Sequence, residues 1–207
     1  MTPDTAPLAR RRRQRLSEDQ RRAQIINGCL DVLARDGYRS ASVARIAEAA
    51  GVSKGLLAHY FTDKETLMEQ TAIATVGFLR AEVGAAVDLT ADVPTVLRAA
   101  VHYAARLRQT HSRELRALDQ ITHNLRDADG APRLDLRAYE ETYQAQERLF
   151  RRGQEEGAFQ AFDPRVMAVT YQGAIDTMLA YLDAHPDTDA DAYAETLADL
   201  LLNAARR

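Results

Sequence analysis

Two short apolar patterns that meet at a glycine constrain the fold of this chain most strongly. Ser42 can cap a helix that continues to Ala50, and the apolar residues within it recur at helical spacing. Gly51 ends this helix, and Ser53 can cap another that runs to about Phe61. Two helices of this length, separated by a few residues at a glycine, are typical of a helix-turn-helix.

The flanking segments predict further helices. Before the pair, Ser17 and Gln20 form a predicted capping box that begins a helix, and Gly37 is expected to end it in a left-handed cap. After the pair, the sequence TDKE at residues 62–65 predicts a second capping box and a long helix to about Val87. We therefore expect a helix-turn-helix domain at residues 17–64 and a second domain at residues 65–207.

The remainder of the chain is also predicted to be helical. Breaks rich in glycine, proline and aspartate divide residues 88–207 into about five helices. In one of them Asp163 is the expected N-cap, Pro164 occupies the first turn and Pro186 follows the end. Alternating runs of β-branched residues are missing, so the sequence predicts an all-α fold of about nine helices.

Composition favours a cytoplasmic globular protein. Of the 207 residues, 46% are hydrophobic, which is enough for sizeable cores. The single Cys29 cannot form an internal disulfide, as is usual in a reducing compartment. The sequence has no apolar run of the roughly 18 residues that span a bilayer, and the basic N-terminus lacks the apolar stretch of a secretory signal. We expect no membrane partner.

Charge is distributed unevenly along the chain. Residues 1–64 hold 12 Lys and Arg against 7 Asp and Glu, whereas the remainder holds 15 against 23. This asymmetry is expected where only the N-terminal part approaches a polyanion. Residues 1–16, which include five arginines between Arg10 and Arg15, are interpreted as a disordered basic arm. The arm either contacts nucleic acid or is a solvated tail.

The third helix has one apolar side and one polar side. If its apolar residues, with Val52 and Phe61 at the ends, pack against the first two helices, the other side faces outward. Lysine, histidine and tyrosine on that side can contact phosphates or base edges in the major groove, and glycine allows close backbone approach. The residues expected to face outward are Lys54, Gly55, Ala58, His59 and Tyr60.

The sequence SVARIAEAAGVSKGLLAHYFTDKETL, at residues 42–67, resembles the DNA-binding domain of TetR-family transcriptional regulators. The resemblance extends over about residues 18–70, and the rest of the chain agrees only in helix number and length. It implies a homodimeric repressor or activator that binds a double-stranded DNA operator and responds to a small-molecule effector. Ala58, where the family usually has tyrosine, and Leu56, often threonine or serine, depart from the pattern. The DNA-contacting positions that we predict are Ser42, Arg45, Ser53, Lys54, Gly55, Ala58, His59, Tyr60 and Lys64.

The second domain carries polar groups on otherwise apolar helices. Such groups, converging within apolar walls, are typical of a small-molecule pocket between helices. Each could instead be a boundary residue of an amphipathic helix. The candidate effector-binding residues are His102, Tyr103, His123, Tyr139, Tyr143, Gln146 and Tyr171.

The last two helices, at about residues 164–184 and 190–205, have small and apolar residues at helical spacing. In the TetR family the corresponding helices form the dimer interface, although the same pattern could close the core of one protomer. The predicted interface residues are Val169, Gly173, Ala174, Met178, Leu197 and Leu201.

Two other classes of function are an enzyme and an architectural protein. The motifs HExxH, GxGxxG, the Walker loop and GxSxG are missing from the sequence, and none of the five histidines follows a glutamate by three residues, so we predict neither an enzyme, a metal site nor a cofactor. An architectural DNA-binding protein, whose second domain only dimerises, remains an alternative. A cavity of several hundred Å³ in the second domain would favour the ligand-responsive regulator.

Overall fold

A computed structural model describes residues 16–131 and 136–206. Within these ranges the chain forms nine α-helices and one short 3₁₀ helix at Leu136–Tyr139. The helices are α1 (Glu18–Ser40), α2 (Val43–Ala49), α3 (Lys54–Tyr60), α4 (Lys64–Ala86), α5 (Val93–Thr110), α6 (Ser112–Asn124), α7 (Glu140–Glu155), α8 (Pro164–Ala184) and α9 (Ala190–Ala205). The all-α prediction is confirmed, and no strand occurs in the described ranges, where Phe159 and Arg206 form an isolated antiparallel bridge. All but the last residue of the basic arm predicted at residues 1–16 lies outside the described residues.

The helix starts follow the predicted caps with one exception. Ser17 and Gln20 form the expected capping box, with hydrogen bonds of 3.2 and 2.9 Å. The capping box predicted at residues 62–65 is wrong, because Asp63 is the N-cap of α4 and its carboxylate accepts from the Thr66 amide at 2.6 Å. Aspartate is at least as good an N-cap as threonine, so the helix begins one residue later than the motif suggested.

Gly37 breaks α1 but does not end it. Its φ is 76°, in the left-handed region predicted from the sequence, and a short helical turn then continues to Ser40. The Tyr38 amide after the break donates to Gln120 Oε1 of α6 at 3.2 Å. The break therefore lies where α6 packs against α1.

Two hydrophobic cores organise the chain. The first joins α1, α2 and α3 to the start of α4 and to one face of α6, which contributes Ala117 and Ile121. Leu125, directly after α6, belongs to the same core. The second is built from α5, α7, α8 and α9 and includes Phe150, Phe159 and other fully buried side chains. Among the described helices, none has both the length and the apolar character needed to cross a bilayer.

The close approach of α1 to α2 depends on Gly28. A Cβ at this position would lie 2.7 Å from both the Cβ and the backbone nitrogen of Ala50. Such distances are far inside van der Waals contact, so any side chain would push the two helices apart. The backbone carbonyl of Ala50 also accepts a 2.6 Å hydrogen bond from Gln24 Nε2, which ties the end of α2 to α1.

We therefore predict that Gly28→Ala lowers the free energy of unfolding by about 1–3 kcal/mol, the usual cost of overpacking. The matched control is Gly77→Ala in α4, where an added Cβ meets nothing within 4 Å. That variant should be as stable as the parent chain or more stable, because alanine is the better helix former. Urea unfolding followed by circular dichroism measures both changes. Equal stability of the two variants would contradict the packing described for α1 and α2.

Candidate nucleic-acid interface and ligand cavity

The turn between α2 and α3 fixes the orientation of α3. Gly51 has a φ of 63°, which L side chains rarely adopt, and the Val52 amide donates to the Ala47 carbonyl at 2.9 Å. Ser53 then caps α3 by accepting from the Leu56 amide at 3.1 Å. Leu57 is buried in the first core, so one side of α3 is anchored there.

The other side of α3 faces solvent. Lys54, Gly55, Ala58 and His59 are exposed, as the sequence analysis predicted for an outward face. A Cβ added to Gly55 would meet nothing within 4 Å, so the backbone here is open to a close approach. This surface offers a lysine, an imidazole and small residues to a partner, in agreement with the chemistry expected for a major-groove contact.

Tyr60 and Lys64 are half-buried and already have partners within the chain. Arg22 of α1 donates to the Tyr60 carbonyl at 3.3 Å, and its guanidinium lies 5.5 Å from the centre of the Tyr60 ring. Lys64 Nζ donates to the Tyr38 carbonyl at 3.2 Å and lies 4.5 Å from the centre of that ring. These contacts join the end of α3 and the start of α4 to α1. Arg22 was not identified from the sequence as a contact of Tyr60. The available signal was its position, because it is a basic residue about one turn after the predicted N-cap Ser17.

Ser42 and Arg45 lie at the start of α2, Ser42 as its N-cap and Arg45 in its first turn. Ser42 is exposed and caps α2 by accepting from the Arg45 amide at 3.3 Å. The Arg45 guanidinium pairs with Asp36 at 3.4 Å, and Asp36 also binds Arg35 at 2.9 Å. The hydrogen bond from Arg35, reinforced by the charges of both arginines, lowers the pKa of the Asp36 carboxyl below its ordinary value. The described structure thus pairs Arg45 with a carboxylate, whereas it gives Lys54 no such partner.

A cavity of about 580 Å³ lies between α4, α5, α6, α7 and α8. Its volume falls within the range of small-molecule sites. Aliphatic side chains from all five helices form most of its wall. Those residues include Val76, Leu79, Val83, Val96, Leu97, Leu107, Leu115, Leu118, Leu149, Ile175 and Leu179.

Three of the predicted pocket residues line this cavity: Tyr139, Gln146 and Tyr171. The Tyr171 hydroxyl donates to the Leu97 carbonyl at 2.9 Å, so that group is already satisfied. Gln146 Nε2 donates to Gln172 Oε1 at 2.7 Å. That these three residues bind an effector stays a prediction.

The other four predicted pocket residues do not line this cavity. His102 faces α9, where Nε2 lies 2.6 Å from Glu195 Oε2, and Tyr103 is half-buried outside the cavity wall. His123 is exposed and pairs with Asp119 on its own helix. Tyr143 is buried behind Tyr139, with the two rings stacked at 5.9 Å. The cavity face of α5 is formed by residues such as Val96 and Ala104, and His102 and Tyr103 fall on other faces of that helix.

Asp176 also lines the cavity and was not identified from the sequence. Its Oδ1 accepts from Gln172 Nε2 at 2.9 Å. Burial raises the pKa of the carboxyl to about 6, against the opposite effect of the Gln172 hydrogen bond. The signal was present in the sequence, since Asp176 is an acidic residue in the middle of an otherwise apolar helical pattern.

The predicted dimer-interface residues divide between surface and core. Gly173 is exposed, and Val169, Ala174, Leu197 and Leu201 are half-buried. Met178 is fully buried in the second core, because its phase on α8 directs its side chain into the protomer. Large apolar side chains that do lie on the surface of α8 and α9 are Val166, Tyr181 and Leu200, with exposed fractions of 63%, 43% and 64%.

Comparison with known proteins identifies relatives of the N-terminal helices. Residues 25–71 match the family model described as bacterial regulatory proteins, tetR family. Two curated relatives are the HTH-type transcriptional regulators BetI of Klebsiella pneumoniae (strain 342), 47% identical over 51 residues, and of Serratia proteamaculans (strain 568), 42% identical over 69 residues. These matches cover 25% and 33% of this chain and only 26% and 33% of the relatives' own lengths.

Solved structures are similar to this chain over most of its length. A TetR family transcription regulator from Marinobacter aquaeolei VT8 has a TM-score of 0.69 at 20% identity, covering 92% of this chain and 98% of that one. The regulator FadR from Bacillus subtilis, solved in complex with stearoyl-CoA, has a TM-score of 0.72 at 18% identity, covering 87% and 97%. At these identities the likeness shows the shared fold.

The raised pKa of Asp176 predicts a pH-dependent gain from Asp176→Asn. The pKa rises from 3.8 to about 6 on folding, so the carboxyl is neutral in both states at low pH and ionised in both above pH 6. The folded state therefore bears the cost of a half-buried, partly desolvated charge only at higher pH. We expect the variant to raise the free energy of unfolding by on the order of 2 kcal/mol at pH 8 and to lose that gain between pH 6 and 4.

Urea unfolding at a series of pH values measures this difference. Asp183→Asn, at an exposed position on the same helix, is the control and should match the parent chain throughout. A gain that is independent of pH, or one that grows on acidification, would contradict the burial described for Asp176.

Proposed function

The chain belongs to the TetR family of bacterial transcriptional regulators, and from that premise we propose that it is a homodimeric DNA-binding protein released from its operator by a small molecule. One observation carries the proposal. The helix that follows α3 directly, α4, begins at Lys64 beside the exposed surface and lines the cavity from Val76 to Gly84. A ligand in the cavity therefore touches the same helix that supports the DNA-binding surface.

The DNA-binding role is supported by how α3 is held and by what it exposes. Its buried side is fixed by Leu57, while Lys54 and His59 extend from the open side. In the proposed complex Lys54 contacts phosphate, and Ala58, Gly55 and His59 lie against the base edges. Ser42 and Ser53 remain cap residues at the rim, and Tyr60, Lys64 and Arg45 hold the geometry through their contacts with α1.

Dimerisation is supported by the apolar surface of α8 and α9. Val166 and Leu200 are more than half exposed, and the small Gly173 leaves room on α8 for close helix approach. In the proposed dimer these helices meet their counterparts and present two copies of α3 to one duplex. Two half-sites on one face of DNA lie about 34–36 Å apart or a multiple of that distance, so binding depends on the geometry of the dimer.

The proposed switch acts through α4 and α6. Leu115 and Leu118 of α6 line the cavity, and α6 also packs against α1 in the first core. A ligand that spreads these helices would reorient the two copies of α3 and change their spacing. A tenfold loss of DNA affinity requires a difference of only about 1.4 kcal/mol between the two states, which a shift of packed helices can provide.

The cavity favours this function over the alternatives. An architectural DNA-binding protein would not require about 580 Å³ of space lined by aliphatic side chains. The proteins that the chain resembles are transcription regulators, and this family is not one of enzymes. As a DNA-binding regulator, the protein is proposed to act in the cytoplasm.

Lys54→Ala is predicted to weaken binding to every duplex sequence. Removing one phosphate-binding lysine per protomer should reduce the slope of log affinity against log salt concentration by about 0.9 for each phosphate that is no longer neutralised. Gel-shift titration against DNA upstream of the protein's own gene, at several salt concentrations, measures this slope. The control Arg106→Ala removes an exposed arginine of α5 and should leave the slope unchanged. Equal slopes for both variants would remove Lys54 from the interface.

Leu200→Arg is predicted to shift the protein from dimer to monomer, because it places a charge within the apolar surface of α9. Ile73→Arg, at a residue of similar type with an exposed fraction of 48% on α4, is the control. Sedimentation velocity gives the oligomeric state of each variant. A dimer that survives Leu200→Arg would show that this part of α9 is not the interface.

A further inference from the structure

The cavity contains a carboxylate that is not neutralised. Asp176 accepts one hydrogen bond, from Gln172, and among the described residues no lysine, arginine or histidine lies within ion-pair distance of it. Gln172 in turn accepts from Gln146, whose buried Oε1 has no donor in the described part of the chain. The hydrogen bonds that run from Gln146 through Gln172 to Asp176 therefore leave Gln146 Oε1 without a donor in the described part of the chain. They also leave the Asp176 carboxylate without a positive charge beside it.

The positive charges at the cavity wall are already opposed or solvated. Arg80 pairs with Glu141 at 2.6 Å. Arg152 donates to the carbonyls of Leu89 and Ala91, both at 2.7 Å, and lies 3.2 Å from Glu156. The Nε atoms of Arg80 and Arg152 are buried without a hydrogen-bond acceptor in the described part of the chain, but each guanidinium has its carboxylate. Arg148 is an exposed residue at the cavity wall, so its charge is solvated. An anionic ligand at Arg80 or Arg152 would have to compete with their carboxylate partners, whereas a cation at Asp176 would not.

An aromatic ring lines the same cavity as Asp176, and the charge of that carboxylate acts on its hydroxyl. Tyr139 lines the cavity and stacks on Tyr143 behind it. Burial, and then the charge of Asp176, raise the pKa of the Tyr139 hydroxyl, so the ring is neutral at all ordinary pH values. A carboxylate beside an aromatic face is a favourable site for an ammonium group, because both attract positive charge. Tyr143, the other ring of this stacked pair, already has the Arg165 guanidinium 5.0 Å from its centre.

We propose that the effector is an amphipathic cation, with an apolar body against the aliphatic walls and an amine or quaternary ammonium at Asp176 beside Tyr139. This inference rests on the proposed function, since it names the class of ligand for the same cavity. The volume of about 580 Å³ suits a molecule considerably larger than a simple ammonium ion. The apolar body supplies affinity, and the charged nitrogen supplies selectivity.

Three probes of equal chain length test the charge requirement on the full-length protein. These are decylammonium, 1-decanol and decanoate, each titrated by calorimetry at pH 8, below the concentration at which it forms micelles. We expect decylammonium to bind at least about tenfold more tightly than either of the others, as a charge-assisted contact would give. Asp176→Asn should reduce this preference to within about twofold, whereas Asp183→Asn should retain it.

The outcomes separate this inference from the proposed function. Equal or tighter binding of decanoate or 1-decanol to the parent chain, no binding of any probe, or an ammonium preference that persists in Asp176→Asn would each overturn the cationic ligand. The comparison of probes on the parent chain stands even if the variant does not fold. Release of operator DNA, followed by fluorescence anisotropy with the same probes, tests the function itself. Selective binding of decylammonium without a change in DNA affinity would support the cation site and contradict the ligand switch.

Discussion

The packing of α6 against α1 is the interaction on which the rest of the structure depends. Ala117 and Ile121 of α6, and Leu125 directly after it, are completely buried in the core that also holds the helix-turn-helix. Polar contacts fix the register: Arg113 donates to Asp31 at 2.9 Å, and Gln120 accepts from the Tyr38 amide after the break at Gly37. Because other residues of α6 line the cavity, the two cores cannot move independently. This sharing distinguishes the chain from two domains joined by a linker, in which relative motion would be the default.

The cations around α3 have two different roles. Lys54 extends into solvent, whereas Arg22 and Lys64 lie over the rings of Tyr60 and Tyr38 and bind backbone carbonyls at the junction of α3 and α4. These two residues stabilise the orientation of α3 and also contribute positive potential near the surface. An acidic second domain does not cancel this potential, because charges more than a Debye length of about 8 Å away are largely screened.

Local features could be predicted from the sequence, and features set by helix phase or distant packing could not. The caps at Ser17, Ser42, Ser53 and Asp163 follow from side chains that bond within three residues. The pocket residues were chosen by polarity, so His102 was included although its face of α5 meets α9. Met178 was chosen for the composition of its helix, whereas its phase directs it into the core. Asp176 was overlooked because its isolation from cations appears only when five helices come together.

The cavity is lined both by helices that support the DNA-binding surface and by a helix of the proposed dimer surface. Its wall includes Ile175 and Leu179 of α8, the helix whose opposite side carries the exposed Val166. It also includes α4 and α6, which pack beneath the helix-turn-helix. In the proposed switch, spreading these helices from within would change the position of the DNA-binding surface relative to the proposed dimer surface. That distance sets the half-site spacing of a dimer. Binding linkage then requires that operator DNA lower the affinity for the ligand by the same factor by which the ligand lowers the affinity for DNA. A cation that pairs with Asp176 in the spread conformation would therefore supply part of the differential affinity that the switch requires.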